Sequence, residues 1–330
     1  MSDLLHFRRL FEGRQDIHGA IEGRCVREPL TFQHWHGHLH GDGSVGLYPL
    51  ISEQTDARAA DIRKAFKDTH GVDGGAYWVH LGCTDIDHPD GPDACWTQAR
   101  NLVKALKALG ITAWPERTKG KGWHVWIFAE EWVPAVVMRR ALLAAHQIAG
   151  VAPTEVNPKS IEGGKQGNGN YINLPYAKAW ADEGRRVVVA LDLGSFYEDG
   201  EPLGLEHFVD QALANRTPFT TLYKAAGLYK EPPKRTVGEF VEPDGSLEEL
   251  TRDLPGLAWT IFTKGVLEGR DRSSTMMRFC HLCAEHGIPP GNAKRMLRDL
   301  DSRLGKFVDR SDCEEQLDKM ITSAYSKVRT

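Results

Sequence analysis

Residues 76–87, Ala76-Tyr77-Trp78-Val79-His80-Leu81-Gly82-Cys83-Thr84-Asp85-Ile86-Asp87, decide how the chain is read. The run is rich in aromatic and β-branched residues, which favour a strand, and it ends in two acids one residue apart. Side chains at i and i+2 of a strand share a face, so the carboxylates of Asp85 and Asp87 project together, roughly 6.5–7 Å apart along the backbone. Like charges on one strand face repel unless a cation or water lies between them. Hard oxygen ligands so placed suit a pair of divalent metal ions.

Elements of both kinds surround this strand. Residues 52–70 have helical character, with Ser52 or Thr55 as N-cap and Gly71 as the stop. Residues 95–109 form an amphipathic helix with Ala99, Leu102, Val103, Leu106 and Leu109 on one side, closed by Gly110. Residues 111–118 read as a short strand, followed by the basic turn Lys119-Gly120-Lys121-Gly122 and a strong strand from Trp123 to Ala129. A helix over 133–149, a glycine-rich loop over 162–170 and strands at 171–175 and 186–192 complete the first half. Beyond about residue 200 the pattern turns helical, over roughly 204–215, 218–229, 256–266, 273–287, 290–303 and 313–327. Residues 1–50 are mixed. Strands alternating with helices, then helices alone, give an α+β fold followed by a small all-α domain. The expected division is a catalytic domain over 1–215, a linker region over 216–250 and a helical domain over 251–330.

Bulk properties narrow the class. The 330 residues exceed one small core. Hydrophobic residues at 41% and charged residues at 26% are ordinary for a soluble globular protein. A net charge of −4 means that any nucleic-acid contact relies on a local basic cleft rather than a basic chain. The six cysteines are irregularly spaced, which argues against a disulfide framework. The N-terminus is no signal peptide, and no apolar run approaches the ~20 residues of a membrane span. The expected setting is intracellular and reduced.

His124 follows the basic turn and shares a strand face with Trp126 and Phe128. Arg117, Lys119 and Lys121 surround it in sequence, and the glycines leave backbone N–H groups open to an anion. A triphosphate contact fits this cluster, although no Gly-Lys precedes Ser or Thr as a Walker sequence requires. Asp192 ends a second apolar strand. Three carboxylates (Asp85, Asp87, Asp192), divalent ions and a basic turn suit phosphoryl transfer, in which two ions clamp the attacking and leaving oxygens. Spacing alone does not separate a polymerase from a metal-dependent nuclease or nickase.

The order and flanks of these segments resemble the archaeo-eukaryotic primase superfamily, in its phage, plasmid and conflict-system primase-polymerase branch. Thr84-Asp85-Ile86-Asp87 resembles the first motif of that family, with Thr84 in a usually hydrophobic place. Gly122-Trp123-His124 resembles the second, with Gly122 where serine is commoner, and Leu191-Asp192 resembles the third. The run Arg117 to Phe128, the N-terminal Leu10-Phe11-Glu12-Gly13-Arg14-Gln15-Asp16 and Val45 to Leu50, and Gly167 to Pro175 are similar to further signatures of the branch. Residues 256–327 resemble, more loosely, a helical primase C-terminal domain.

The resemblance implies an RRM-like mixed sheet with flanking helices and template-dependent nucleotidyl transfer from NTPs or dNTPs onto primers on single-stranded DNA. It implies Mg²⁺ or Mn²⁺ held by Asp85, Asp87 and Asp192, and His124 with Arg117, Lys119 and Lys121 on the incoming triphosphate. Lys165 and Asn168 join the nucleotide contacts, Arg14 binds phosphate or pairs with Asp16, and a replicative helicase is the expected partner. The expected setting is phage or mobile-element replication in the cytoplasm of a bacterial host.

Two clusters stand outside this reading. His34, His36, His38 and His40 share one face if extended, which suits zinc, a nickase-type pair or a polar loop. Cys280 and Cys283, near His286, have metal-like spacing but lie in an apolar helical run, which favours core cysteines.

Overall fold

The computed structural model describes residues 2–20, 24–87, 90–159, 161, 170–190, 200–231, 240, 243, 245–252, 254–266 and 271–326. It divides into two compact units, Met1–Lys230 and Glu231–Thr330. In chain order the first unit holds α1 (Ser2–Leu10), β1 (His18–Gly19), β2 (Cys25–Val26), α2 (Phe32–His40), β3 (Gly46–Leu47), β4 (Ile51–Ser52), α3 (Arg58–His70), β5 (Tyr77–Ile86), α4 (Pro92–Ala108), β6 (Ala113–Arg117), β7 (Trp123–Pro134), α5 (Ala135–Ala149), β8 (Glu155–Asn157), β9 (Ile172–Asn173), α6 (Lys178–Ala181), β10 (Val187–Val188), α7 (Leu205–Ala214) and α8 (Phe219–Gly227). The second holds α9 (Leu247–Thr251), α10 (Gly256–Lys264), α11 (Arg272–Glu285), α12 (Pro290–Leu304) and α13 (Cys313–Tyr325). No described helix is long and apolar enough to cross a membrane.

The central sheet runs β10-β6-β7-β5-β4, and β8 also pairs with β5. β4 covers the start of β5 through Trp78, whereas β8 covers its end through Asp85. Every ladder between these strands is antiparallel, and a parallel component enters at the bridge between Ala129 and Thr217. A smaller sheet, β2-β1-β3-β9, lies within the same unit.

Strand alternation gives the central sheet two cores. On one face Ile86, Val125 and Ile127 pack with Trp96, Leu102 and Leu106 of α4 and Met138 and Leu142 of α5. On the other, Leu81, Cys83, Trp126 and Phe128 pack with Phe7 and Phe11 near α1, Trp35 of α2 and Phe208 of α7. Phe11 meets Trp126 and Phe128 edge-on at 5.2 and 5.3 Å, contacts worth about 0.5–1.5 kcal/mol each beyond their burial. A Cβ at Gly82 would lie 2.8 Å from Met138 Sδ, so α5 sits this close only over glycine.

The expected domain boundary at 215 moves to Lys230. Within 216–250, Phe219, Leu222, Ala225 and Ala226 of α8 are buried in the core of the first unit, so residues 219–227 are a packed helix of that unit, as the helix expected over 218–229 requires. The mixed opening residues resolve into α1, whose Leu4, Phe7 and Leu10 recur at helical spacing and are buried. The histidine run is helical, not extended. In α2, His34 caps the helix by accepting from Thr31 N–H, and buried His38 accepts from Val45 N–H and donates to Pro175 O at 2.7 Å. Its four imidazoles therefore do not converge.

The second unit has its own core, built on Phe279, Met296, Leu297, Leu300, Leu317 and Ile321. Asp271 caps α11 by accepting from Ser274 N–H at 2.7 Å, and Ser246 and Glu249 form a capping box on α9. Cys280 and Cys283 are free, buried members of this core. Burial pushes both thiols up, Cys283 to about 12, the opposite of what a metal-ligating thiolate needs.

Candidate active site

Register builds the site. Asp85 of β5 lies opposite His124 of β7, which lies opposite Glu116 of β6; on its other side Asp85 faces Glu155 of β8. Residues opposed across a ladder share a face, so Glu116, His124, Asp85 and Glu155 form one row across four strands. The row crosses the sheet where β5 ends and the basic turn begins. Asp87 is exposed just beyond β5.

The turn is closed by Thr118, whose N–H and hydroxyl both donate to Gly122 O, at 3.1 and 2.9 Å. A Cβ on Gly122 would lie 2.8 Å from Ile86 O, so the close approach of turn and strand requires glycine. The two lysines of the turn diverge. Lys119 lies over the Trp180 ring, and Lys121 Nζ stands 3.5 Å from Asp87 Oδ1.

Glu116 is fully buried, yet sequence reasoning passes over it. Its Oε2 accepts from Trp126 Nε1 at 2.6 Å and lies 2.8 Å from His124 Nδ1. A buried carboxylate needs such charge-assisted partners to offset lost hydration. With Nδ1–H committed to Glu116, Nε2 is the nitrogen that faces the site. It stands 3.9 Å from Asp85 Oδ1, beyond hydrogen-bond length. Burial disfavours the charged His124 ring, but the negative charges of Glu116 and Asp85 prevail and hold its pKa above the ordinary histidine value. Burial raises the Asp85 carboxyl; His124 opposes this, and the charges of Glu155 and Asp87 add to it.

Three more residues support the row without any sequence signal. Arg139 of α5 donates to Val156 O at 2.5 Å and Pro158 O at 2.7 Å, fixing β8 and hence Glu155. Glu155 itself pairs with Lys159. Buried Arg186 donates to Leu174 O at 3.2 Å; burial lowers its pKa, and Glu116 opposes the shift.

Other expected site residues fall elsewhere. Arg117 does not share the His124 face. It lies opposite Trp123 and its guanidinium sits over that ring, on the α4 side of the sheet. Asp192, Lys165 and Asn168 lie outside the described residues. Arg14 is buried and pairs with Asp16 at 2.6 Å, the ion-pair alternative of the sequence reading. Trp123 and Trp126 are both core residues, on opposite faces.

Among the described residues no group of three or more His, Cys, Asp or Glu side chains is placed to hold a metal ion. Asp85 and Asp87 supply hard oxygen donors, and the negative charges of Glu155 and Asp87, which add to the burial that raises the Asp85 carboxyl, suit a divalent cation. Residues 21–201, more than half of the chain, match the family described as the archaeo-eukaryotic primase domain of the TOTE conflict system. No curated protein matches the chain.

Proposed function

The chain belongs to the archaeo-eukaryotic primase family, in its TOTE conflict-system branch, and from that premise we propose that it is a DNA-templated primase-polymerase. The observation that supports this reading most is the cross-strand row Glu116–His124–Asp85–Glu155 beside the basic turn. The Asp85 carboxylate, suited to a cation, and the His124 imidazole, whose pKa is held above the ordinary value, stand opposite one another on one sheet face.

In this reading Asp85 and Asp87, with Asp192, would hold two divalent ions, Mg²⁺ or Mn²⁺. When bound, these supply Lewis-acid activation of a primer 3′-hydroxyl and neutralise triphosphate charge. His124, fixed through Nδ1 by Glu116, presents Nε2 to a phosphate oxygen of an incoming NTP or dNTP. Lys119 and Lys121 add positive charge on either side of the turn. Such a site works by positioning and charge stabilisation, which is chiefly what phosphoryl transfer requires.

A labelled primer annealed to single-stranded DNA, incubated with nucleotides and Mg²⁺ or Mn²⁺, tests the reading. Lengthened products are expected. Products that only shorten would replace it with the metal-dependent nuclease.

A further inference from the structure

The opposite face of the same sheet end carries a second cationic concavity. A cavity of about 690 Å³ opens between the start of α4, the end of β6 and the basic turn, lined by Asp93, Trp96, Arg100, Arg117, Lys121 and Trp123. Trp96 and Trp123 form its floor, with ring centroids 4.3 Å apart. The Arg100 guanidinium lies over Trp96 at 5.9 Å and that of Arg117 over Trp123 at 5.8 Å. Among the described residues no carboxylate pairs with either arginine, and Arg117 reaches only the carbonyl of Gly184, at 3.5 Å. With one aspartate against two arginines, and Lys121 shared with Asp87, the lining carries more positive than negative charge in a chain whose net charge is negative.

We propose that this cavity grips the phosphodiester backbone of single-stranded DNA, on the sheet face turned away from the nucleotide site. The indoles decide between backbone and base. Trp96 is 8% exposed and Trp123 4%, so little ring surface remains for a base to stack on. What the cavity offers is guanidinium N–H groups, backed by aromatic rings and spread over two elements. Arginine forks of this kind match phosphate oxygens. The grip is therefore independent of sequence, and it is electrostatic. Lys121 borders both the cavity and Asp87, so a strand held here lies beside the acidic end of β5. The proposal rests on the primase-polymerase reading only for the identity of the polynucleotide.

The test is fluorescence anisotropy of a labelled oligo(dT) across a salt series, without metal or nucleotide. Each phosphate neutralised on a single strand contributes about −0.7 to the slope of log K against log salt. The double variant Arg100→Gln/Arg117→Gln is expected to weaken binding at least about tenfold and to flatten the slope by about 1.4. Arg100→Lys/Arg117→Lys keeps the slope. Unchanged affinity and slope in the glutamine variant would overturn the proposal. So would displacement of oligo(dT) by a free nucleoside triphosphate that Arg100→Gln abolishes and His124→Ala does not, because the cavity would then be a triphosphate site. Arginine-dependent DNA binding in a protein that incorporates no nucleotide would leave the grip standing and sink the polymerase reading alone.

Discussion

The two faces of the central sheet, at the same end and one residue out of phase, carry opposite chemistry. One face aligns Glu116, His124, Asp85 and Glu155; the other places Arg100 and Arg117 over a floor of tryptophans. Alternation alone separates them, because Glu116 and Arg117 are neighbours in sequence and point to opposite sides. A strongly acidic cluster would repel the DNA phosphates that an adjacent cationic pocket attracts. Two faces let a short stretch of chain do both, with the β-ladder as insulation.

The sharpest way to break this contrast is to remove an acid. Asp85→Ala or Asp87→Ala should reduce nucleotide incorporation by about a thousandfold or more, the scale of losing a central electrostatic group. Oligo(dT) affinity should be unchanged or slightly tighter, since a negative charge has gone. Retained synthesis in either variant would defeat the site assignment, and a parallel loss of DNA binding would show that the faces are not independent.

How far the sequence could be read follows the same division between local and long-range information. The strand ending in Asp85-Ile86-Asp87, the amphipathic helix before Gly110 and six helices of the second half are legible because each pattern lies within its own window. Glu116 and Glu155 are not. Each becomes part of the row only through pairing register with a distant strand, and no local period encodes that. Arg117 shows the same thing: it is near His124 in sequence, and pairing register places it on the other face of the sheet. The histidine run misled because alternating imidazoles fit an extended face, while Trp35, His38 and Leu39 fit a helix equally well and are the residues that find a core.

Three histidines within the first unit should make its stability fall on both sides of neutrality. Burial lowers His38 from 6.5 to about 4. The unfolded chain then takes up a proton that the folded chain refuses, so this contribution is intact above pH 6.5 and is lost as pH falls towards 4. The loss is on the order of 3 kcal/mol. His80, lowered to about 4 by burial, acts in the same direction. His124 is raised, so its contribution is present below the ordinary histidine pKa and is lost as pH rises through the raised value. Denaturant titrations from pH 4 to 8 should show the acid loss as the larger. A midpoint that stays flat between pH 6.5 and 4 would mean that His38 is not held neutral in the core.

The smallest expected effect is the most specific to the row face. Glu116→Gln keeps the volume and one acceptor for the N–H groups of Trp126 and His124 but removes the charge. The fold should survive, because a neutral amide costs less to bury than a carboxylate. The His124 ring should then titrate lower than in the parent protein, since Glu116 is the foremost charge holding it up. At neutral pH fewer molecules carry the imidazolium, and the KM for nucleotide should rise about three- to tenfold, that is, by about 1 kcal/mol. At a pH low enough to protonate the ring in both proteins the difference should close. Oligo(dT) binding, proposed for the other face, should not move. NMR titration of the His124 ring separates the two meanings of any loss: a KM change with an unmoved ring pKa would make Glu116 a packing residue, whereas a lowered pKa with a pH-dependent KM ties its charge to the phosphate contact.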